Sequence, residues 1–311
     1  MERKKVVVFG SYVTDLSAKC TRFPAAGETV KGSTFLMGPG GKGSNQAVAA
    51  HRAGADVTMI TKVGNDTFGN EVKRFYRENG MPLDGIITDD EHPSGAALIM
   101  VHAENMQNEI VVIPGACEHI TAEDIETIKP ILDQADIVLT QLETNLDATL
   151  EVLRYSKARG CTTVLNPAPA VPLTDEMFSI VDVITPNETE ASLLTGVAVS
   201  EKIEDVRRAA QALRQRGVER VIITLGERGS YALDGEGEFV SPSLHLGQVA
   251  DTTGAGDAYN GGLAAALSFG FDFHEAIRYA TVVSGLSVTK PGTAPAMPEY
   301  DEIQKYFRKE C

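Results

Sequence analysis

The stretch KKVVVFG, residues 4–10, carries after its two lysines an unbroken apolar run, VVVF, that ends on a glycine. A strand with one face in water alternates apolar and polar side chains. A continuous run marks a strand buried on both faces, as in a parallel sheet covered by helices. The pattern returns in DVTMITKVG (56–64), ADIVLTQLE (135–143), CTTVLNPAP (161–169), DVITPNE (182–188) and RVIITLGE (220–227). Between these runs lie GSNQAVAAHRAG (43–54), FGNEVKRFYRENG (68–80), LDATLEVLRYSKARG (146–160) and IEDVRRAAQALRQRG (203–217). These have helical character and end on Gly, as helix C-termini often do. Strand and helix in alternation predict an α/β fold around a mainly parallel sheet. TVKGSTFLMG (29–38) and SGAALIMVHAENMQNEIVVIPG (94–115) break the rhythm, the second reading as a hairpin with ENMQN at its turn. They are expected to leave the main sheet as a small β lid, with strands roughly at 12–37 and 95–114, inserted in one domain spanning 1–311. Neither an internal repeat nor an interdomain linker is visible.

Of the 311 residues, 43% are hydrophobic and 23% charged, ordinary for a soluble globular protein. A net charge of −15 repels nucleic acid and anionic membranes and argues against both as partners. Cys20, Cys117, Cys161 and Cys311 form no C-x-x-C pair and the six histidines show no metal spacing, so a reducing, cytoplasmic setting is expected. The apolar core VVVF near the start is too short for a signal peptide, and no run approaches the roughly 20 residues of a membrane span.

FGS, QLE, NPAP, TPNETE and TLGERG each follow the carboxyl end of a predicted strand, the edge where open α/β sheets bind ligands. DTTGAGDAYNGG (251–262) is a turn opening into a helix of small residues. Glycines 254 and 256 let backbone N–H groups at the helix start approach an anion, a main-chain phosphate cradle. Asp257 then stands where a carboxylate could accept a proton from a substrate hydroxyl during phosphoryl transfer. It could equally be a helix cap. The helix N-terminus is expected to hold its pKa down.

GPGGKGSNQ (38–46) contains G-x-G-x-x-G through Gly38, Gly40 and Gly43. The dinucleotide fingerprint should follow the first strand and lead to an acid ending the second; here Asp56 precedes that strand. Leu36 stands where a P-loop needs its first Gly. What remains is a Gly-rich bend opening a helix, with Lys42 and Asn45 suited to a polyhydroxy ligand.

Together, GGKGSNQAVAAHRAG and DTTGAGDAYNGG, with NPAPA, TPNETE and TLGERG between them, resemble the paired signatures of the ribokinase family of carbohydrate kinases. The resemblance covers essentially the whole chain. It implies a three-layer α/β sandwich with a β lid over the sugar, and transfer of the ATP γ-phosphate to a sugar hydroxymethyl with Mg²⁺ and often K⁺. By this resemblance Asp257 is the catalytic base, and Gly254, Ala255 and Gly256 form the anion hole. Asp15, Gly41, Lys42, Asn45 and Glu143 bind sugar, and a carboxylate such as Asp15 can accept from two adjacent hydroxyls. Asn187 and Glu190 match N-x-x-E, which organises Mg²⁺ and phosphate through water; the same pair also fits a capping box. Thr224, Gly226, Gly229 and Thr281 match nucleotide-binding positions. Asp251, Thr253, Ser287, Lys290 and Gly292 match a monovalent-cation site, with Ala296 where a serine ligand is expected.

The departure lies after the first strand. Ribose kinases of the family look like G-S-x-N-x-D; this chain has Gly10, Ser11, Tyr12, Val13, Thr14 and Asp15. Val13 replaces an Asn that would hydrogen-bond the sugar, at a cost of about 1–3 kcal/mol for an unpaired hydroxyl. The resemblance therefore leaves two substrates open, 2-deoxyribose or ribose with the bond supplied by Tyr12 or water. A nucleoside kinase, a non-catalytic sugar or nucleotide sensor and a Rossmann dehydrogenase are the rival classes. Asp257 argues against the sensor, and the misplaced glycine motif against the dehydrogenase. Lid strands such as 96–101 could pair across a two-fold axis as a homodimer.

Overall fold

The computed structural model describes residues 3–104 and 107–310. Its strands are β1 (Lys5–Phe9), β2 (Val13–Cys20), β3 (Thr34–Gly40), β4 (Asp56–Gly64), β5 (Ile86–Asp89), β6 (Gly95–His102), β7 (Asn108–Ile113), β8 (Ile137–Thr140), β9 (Thr162–Leu165), β10 (Val183–Ile184), β11 (Arg220–Thr224), β12 (Ser230–Leu233) and β13 (Glu238–Ser241). Its helices are α1 (Lys42–Arg52), α2 (Thr67–Glu78), α3 (Ala122–Leu132), α4 (Leu146–Ala158), α5 (Asp175–Ser179), α6 (Glu188–Thr195), α7 (Ile203–Gln215), α8 (Ala255–Ser268), α9 (Phe273–Ser287) and α10 (Tyr300–Glu310).

Among the described residues, nine strands form the main sheet in the order β13-β12-β11-β10-β9-β8-β1-β4-β5, all running one way except β12, which pairs antiparallel with β11 and β13. The apolar runs are split residue by residue between two layers. Val6 and Val8 face a core shared with α1, α8, α9 and α10, while Val7 and Phe9 face one shared with α3 and α4. Ile222 of β11 likewise joins the first core, and Val221 and Ile223 a core built on α5, α6 and α7. This is the expected three-layer α/β sandwich. The antiparallel β12–β13 hairpin was not foreseen, because its short strands carry no continuous apolar run.

The chain from β1 runs one way to β4 and β5, whereas β8 to β11 lie on β1's other side. The strand order therefore reverses between β1 and β8, and a crevice opens at their carboxyl ends. The small residues of α8 decide what stands over it. A Cβ on Gly261 would lie 2.4 Å from Ala49 Cβ and 2.6 Å from the Gln46 carbonyl oxygen. Only a residue without a side chain lets α8 press onto α1 there, and this contact sets the start of α1 against the start of α8.

A second sheet pairs β3-β2-β6-β7, with β2 antiparallel to β3 and parallel to β6. The middle of the expected ENMQN turn, Asn105 and Met106, lies outside the described residues. On one face Asp15 sits between Gly38 and Ala97, and Ser17 between Leu36 and Ile99; on the other, Leu16 sits between Met37 and Leu98. Among the described residues, no helix is long and apolar enough to cross a membrane.

Candidate active site

Asp257 is the third residue of α8 and only 7% exposed. Gly254 caps this helix in the left-handed region (φ 77°), where a side chain would be strained. The Ala255 N–H turns back to the Thr252 carbonyl at 3.2 Å. Gly256 and Asp257 follow as the next residues of the first turn, where N–H groups have no intrahelical acceptor.

Both carboxylate oxygens of Asp257 are held from α1. Asn45 Nδ2 donates to Oδ2 at 3.0 Å, and Gln46 Nε2 donates to Oδ1 at 2.9 Å. Asn45 Oδ1 is buried and makes no hydrogen bond within the protein, leaving an acceptor for a ligand hydroxyl. Burial pushes the Asp257 carboxyl up, against the pull of Lys42, Gln46 and Asn45, and Glu143 adds to the rise. This overturns the expectation of a lowered pKa. The site lies deep enough for desolvation to exceed the helix-terminus effect.

Glu143, in the turn after β8, ties the crevice together. Its Oε2 accepts from Ser11 Oγ at 2.5 Å and from the Lys42 backbone N–H at 2.8 Å, joining the turns after β1 and β3. Gly41 is the N-cap of α1, and its carbonyl accepts from the Asn45 N–H at 2.9 Å. Val13 opens β2, with Asp15 two residues on and on the same face. Burial, then the charges of Glu143 and Asp257, push the Asp15 carboxyl up to about 6. Burial alone would pull the Lys42 ammonium down, but Asp257, Glu143 and Glu190 hold it above its usual value.

The sign of the Asp15 shift yields an expected result. The native state holds this proton more tightly than the unfolded chain between about pH 4 and 6. The stability Asp15 contributes is thus present below about pH 4 and lost as the pH rises through 6. Asp15→Asn should therefore gain on the parent by about 1–2 kcal/mol between pH 4 and 7.5, after discounting for partial exposure. Urea midpoints of the unliganded proteins at both pH values measure this, and a constant difference would refute it.

Two adjoining cavities flank the start of α8 and share Thr224, Gly226, Thr252, Ala255 and Gly256 as walls. One, of about 440 Å³, is lined by Lys42, Asn187, Glu190, Gly254, Asp257 and Asn260. The other, of about 330 Å³, runs between Gly229, Thr281, Tyr259 and the segment Ser243–Gly247, with Val249 and Val288 at its apolar wall. Asn187 and Glu190 form a complete capping box, with Asn187 N–H to Glu190 Oε2 at 2.8 Å and Glu190 N–H to Asn187 Oδ1 at 2.9 Å. Burial and Asp257 push the Glu190 carboxyl up, opposed by the Asn187 N–H and Lys42. Glu143, Glu190 and Asp257 thus act together on the Lys42 ammonium, and Asp15 couples to Glu143 and Asp257.

Asp251 stands apart from this group. Its Oδ1 accepts from Thr253 N–H at 2.9 Å and its Oδ2 from Gly292 N–H at 3.0 Å. Burial would raise its pKa, but these bonds outweigh it and keep the group ionised. Ser287 closes α9, and the Lys290 ammonium turns away to Glu302 at 2.7 Å, leaving main-chain oxygen in that loop. Ala296 is buried and offers no side-chain oxygen.

Several residues at the site carried weaker sequence signals. Gln46 adjoins Asn45 in the quoted motif, while Gln141 and Asn166 stand in QLE and NPAP. Only the contacts across sequence reveal that they meet. The segment 243–249, which forms a cavity wall, carries no motif.

A pfkB family carbohydrate kinase model matches residues 3–300. The chain is 38% identical over 305 residues to a ribokinase of Haemophilus influenzae, covering 98% of this chain and 99% of that one. It is 34% identical over 303 residues to a deoxyribokinase of Salmonella typhi, covering 97% and 98%. Among solved structures, the Arabidopsis thaliana ribokinase complexed with ribose and ATP superposes with a TM-score of 0.90 at 29% identity, over 99% of each chain. With both signature turns converging on Asp257 and the family's model matching from one end of the fold to the other, the chain belongs to the pfkB family of carbohydrate kinases.

Proposed function

We propose that the protein is an ATP-dependent pentose kinase that phosphorylates the 5-hydroxymethyl group, with Val13 tuning it toward 2-deoxyribose over ribose. The observation that carries this reading is Asp257, buried at the first turn of α8 and held through both oxygens by the helix that bears Lys42 and Asn45. Asp15, Asn45, Glu143 and the Gly41 turn bind the sugar hydroxyls, under the four-stranded sheet acting as a lid. Adenine lies in the apolar cavity beside Val249 and Val288, and the phosphates run past Thr224, Gly226 and Gly229 toward Lys42.

The 5-hydroxyl oxygen attacks the γ-phosphorus as its proton passes to Asp257 and the bond to the β-phosphate oxygen breaks. The N–H groups at Gly254–Gly256 and the Lys42 ammonium take up charge on the transferred group. Among the described residues no three carboxylates gather as a direct cage, but Glu190 beside Asp257 and Lys42 fits a divalent cation that keeps its waters. Glu190 and Asn187 would hold Mg²⁺ through water, and Mg²⁺ would neutralise phosphate charge. Asp251 with the Thr253, Ser287, Lys290 and Gly292 carbonyls would hold K⁺ beneath the anion hole.

The strand at 96–101 is no edge, since β2 and β7 flank it, but the exposed apolar face bearing Met37, Leu98 and Val111 supports pairing of two lids as a homodimer. A monomer in sedimentation at micromolar concentration would overturn it. The buried thiols Cys20, Cys117 and Cys161 suit a reducing cytoplasm. The test of function is ATP-dependent formation of ribose 5-phosphate and 2-deoxyribose 5-phosphate with Mg²⁺, in K⁺ and in Na⁺. Turnover of pentose, faster in K⁺, is the expected result; phosphorylation of neither sugar would overturn the reading.

A further inference from the structure

Behind Asp257 lies a chain of buried amides. Gln46 is fully buried, and Gln141 and Asn166 are nearly so. Gln46 Nε2 donates to Asp257 Oδ1 and to Asn166 Oδ1, both at 2.9 Å. Asn166 is itself fixed, since its Nδ2 donates to the Thr185 carbonyl at 3.1 Å. From the other side, Gln141 Nε2 donates to Gln46 Oε1 at 2.7 Å. The Gln141 Oε1 is buried and has no partner in the protein. Turning the Gln46 amide over would place its oxygen against two acceptors and its nitrogen against a donor. The acceptor-only carboxylate and the Asn166 Oδ1 thus hold the Gln46 Nε2 toward them, and Gln141 donates to the Gln46 oxygen on the far side.

We propose that Gln46 is a positioning residue for the reaction: braced by Asn166 and Gln141, it fixes the Asp257 carboxylate toward the substrate hydroxyl and moderates its strength as a base. The inference rests on Asp257 being the base proposed above. It ties the ends of β8 and β9 to the catalytic turn through α1. Each bond of the chain lies in a water-poor interior where an orphaned partner is costly. The charged groups facing Asp257 are Lys42 from α1, Glu143 from the turn after β8, Asp15 from β2 and Glu190 from α6. All are retained in the variants below, so any change in titration comes from the amides.

The test compares Gln46→Leu, Gln141→Leu and the double variant by the pH profile of kcat and by carbon-13 NMR titration of the Asp257 carboxyl. Removing a donor destabilises the carboxylate, so Gln46→Leu should move the acid limb and the NMR midpoint upward by about one pH unit. On the acid side kcat should fall about tenfold, while the sugar KM changes less than threefold. Gln141→Leu should move both the same way by less, and should add nothing once Gln46 is gone, because it acts only through it. Unmoved titrations in both single variants would overturn the proposal, whatever happens to overall activity. If Gln46→Leu does not fold, Gln141→Leu decides alone. Asp257→Asn with near-normal turnover would instead remove the base assignment, while leaving the NMR comparison able to speak for the amide chain.

Discussion

Asp257→Asn is expected to lower kcat by about 10²- to 10⁴-fold, the usual contribution of a positioned general base, with the sugar KM changed by less than threefold. The substitution removes the proton acceptor and almost no volume. It also places a donor near Asn45 or Gln46, which both donate to the present carboxylate. Asn45 can absorb this change. Its Oδ1 has no partner in the protein, so turning its amide over offers an acceptor to the new N–H and presents the Asn45 N–H to the sugar hydroxyl, which accepts as well as donates. The fold should therefore survive, and stability moves the other way from activity. Burial raises the Asp257 pKa above its unfolded value, so its contribution to stability is present below about pH 4 and lost as the pH rises through the native pKa. Replacing it by a neutral amide removes that loss, and thermal unfolding at pH 8 should give a Tm no lower than the parent's. Lost turnover with retained Tm and retained sugar affinity is the signature of a base. Near-normal kcat would mean that Asp257 only caps α8.

That pairing of lost activity with kept stability could not be foreseen from the motif. DTTGAGDAYNGG displays the glycines and the carboxylate, and a helix N-terminus does favour a charged Asp. Depth of burial reverses the sign, and it depends on α1 and α9 packing over α8, contacts made across more than 200 residues of chain for Asn45 and Gln46. The buried strands and their helices were legible because continuous apolar runs and 3.6-residue patterns are local properties. So were Lys42, Asn45 and Glu190, which stand inside recognisable turns. Gln46, Gln141 and Asn166 were not, because an amide in a buried helix or strand end looks the same whether it packs or orients a carboxylate. The Ser243–Val249 wall was invisible for another reason: its role comes from lying across α9, and nothing in SLHLGQV encodes a ligand.

Val13→Asn is expected to raise the ratio of kcat/KM for ribose over 2-deoxyribose about tenfold, or some 1.4 kcal/mol. Val13 is 6% exposed and shares its face of β2 with Asp15. It pairs with Gly40 on one side and Gly95 on the other, where a Cβ on Gly95 would lie 2.8 Å from Val13 Cγ1. Gly95 leaves room for the side chain at position 13, which valine fills with methyl groups, and Gly40 leaves room for the Asp15 carboxylate beside it. A sugar hydroxyl brought against them gives up water and gains no partner, a cost of about 1–3 kcal/mol that the 2-deoxy sugar escapes. An amide at this place restores the partner, so the gain should fall on ribose alone and leave 2-deoxyribose nearly unchanged. Val13→Ala is the control, since it relieves the apolar cover without supplying a hydrogen bond, and its ratio should stay within threefold of the parent's. Val13→Thr keeps the shape and adds a hydroxyl, and should fall between the two. A parent enzyme that already favours ribose, with a ratio that Val13→Asn leaves unmoved, would show that a bound water meets the sugar hydroxyl and that Val13 does not select the substrate, since Tyr12, the other partner expected from the sequence, is 2% exposed and packed edge-on against Tyr76 in the core.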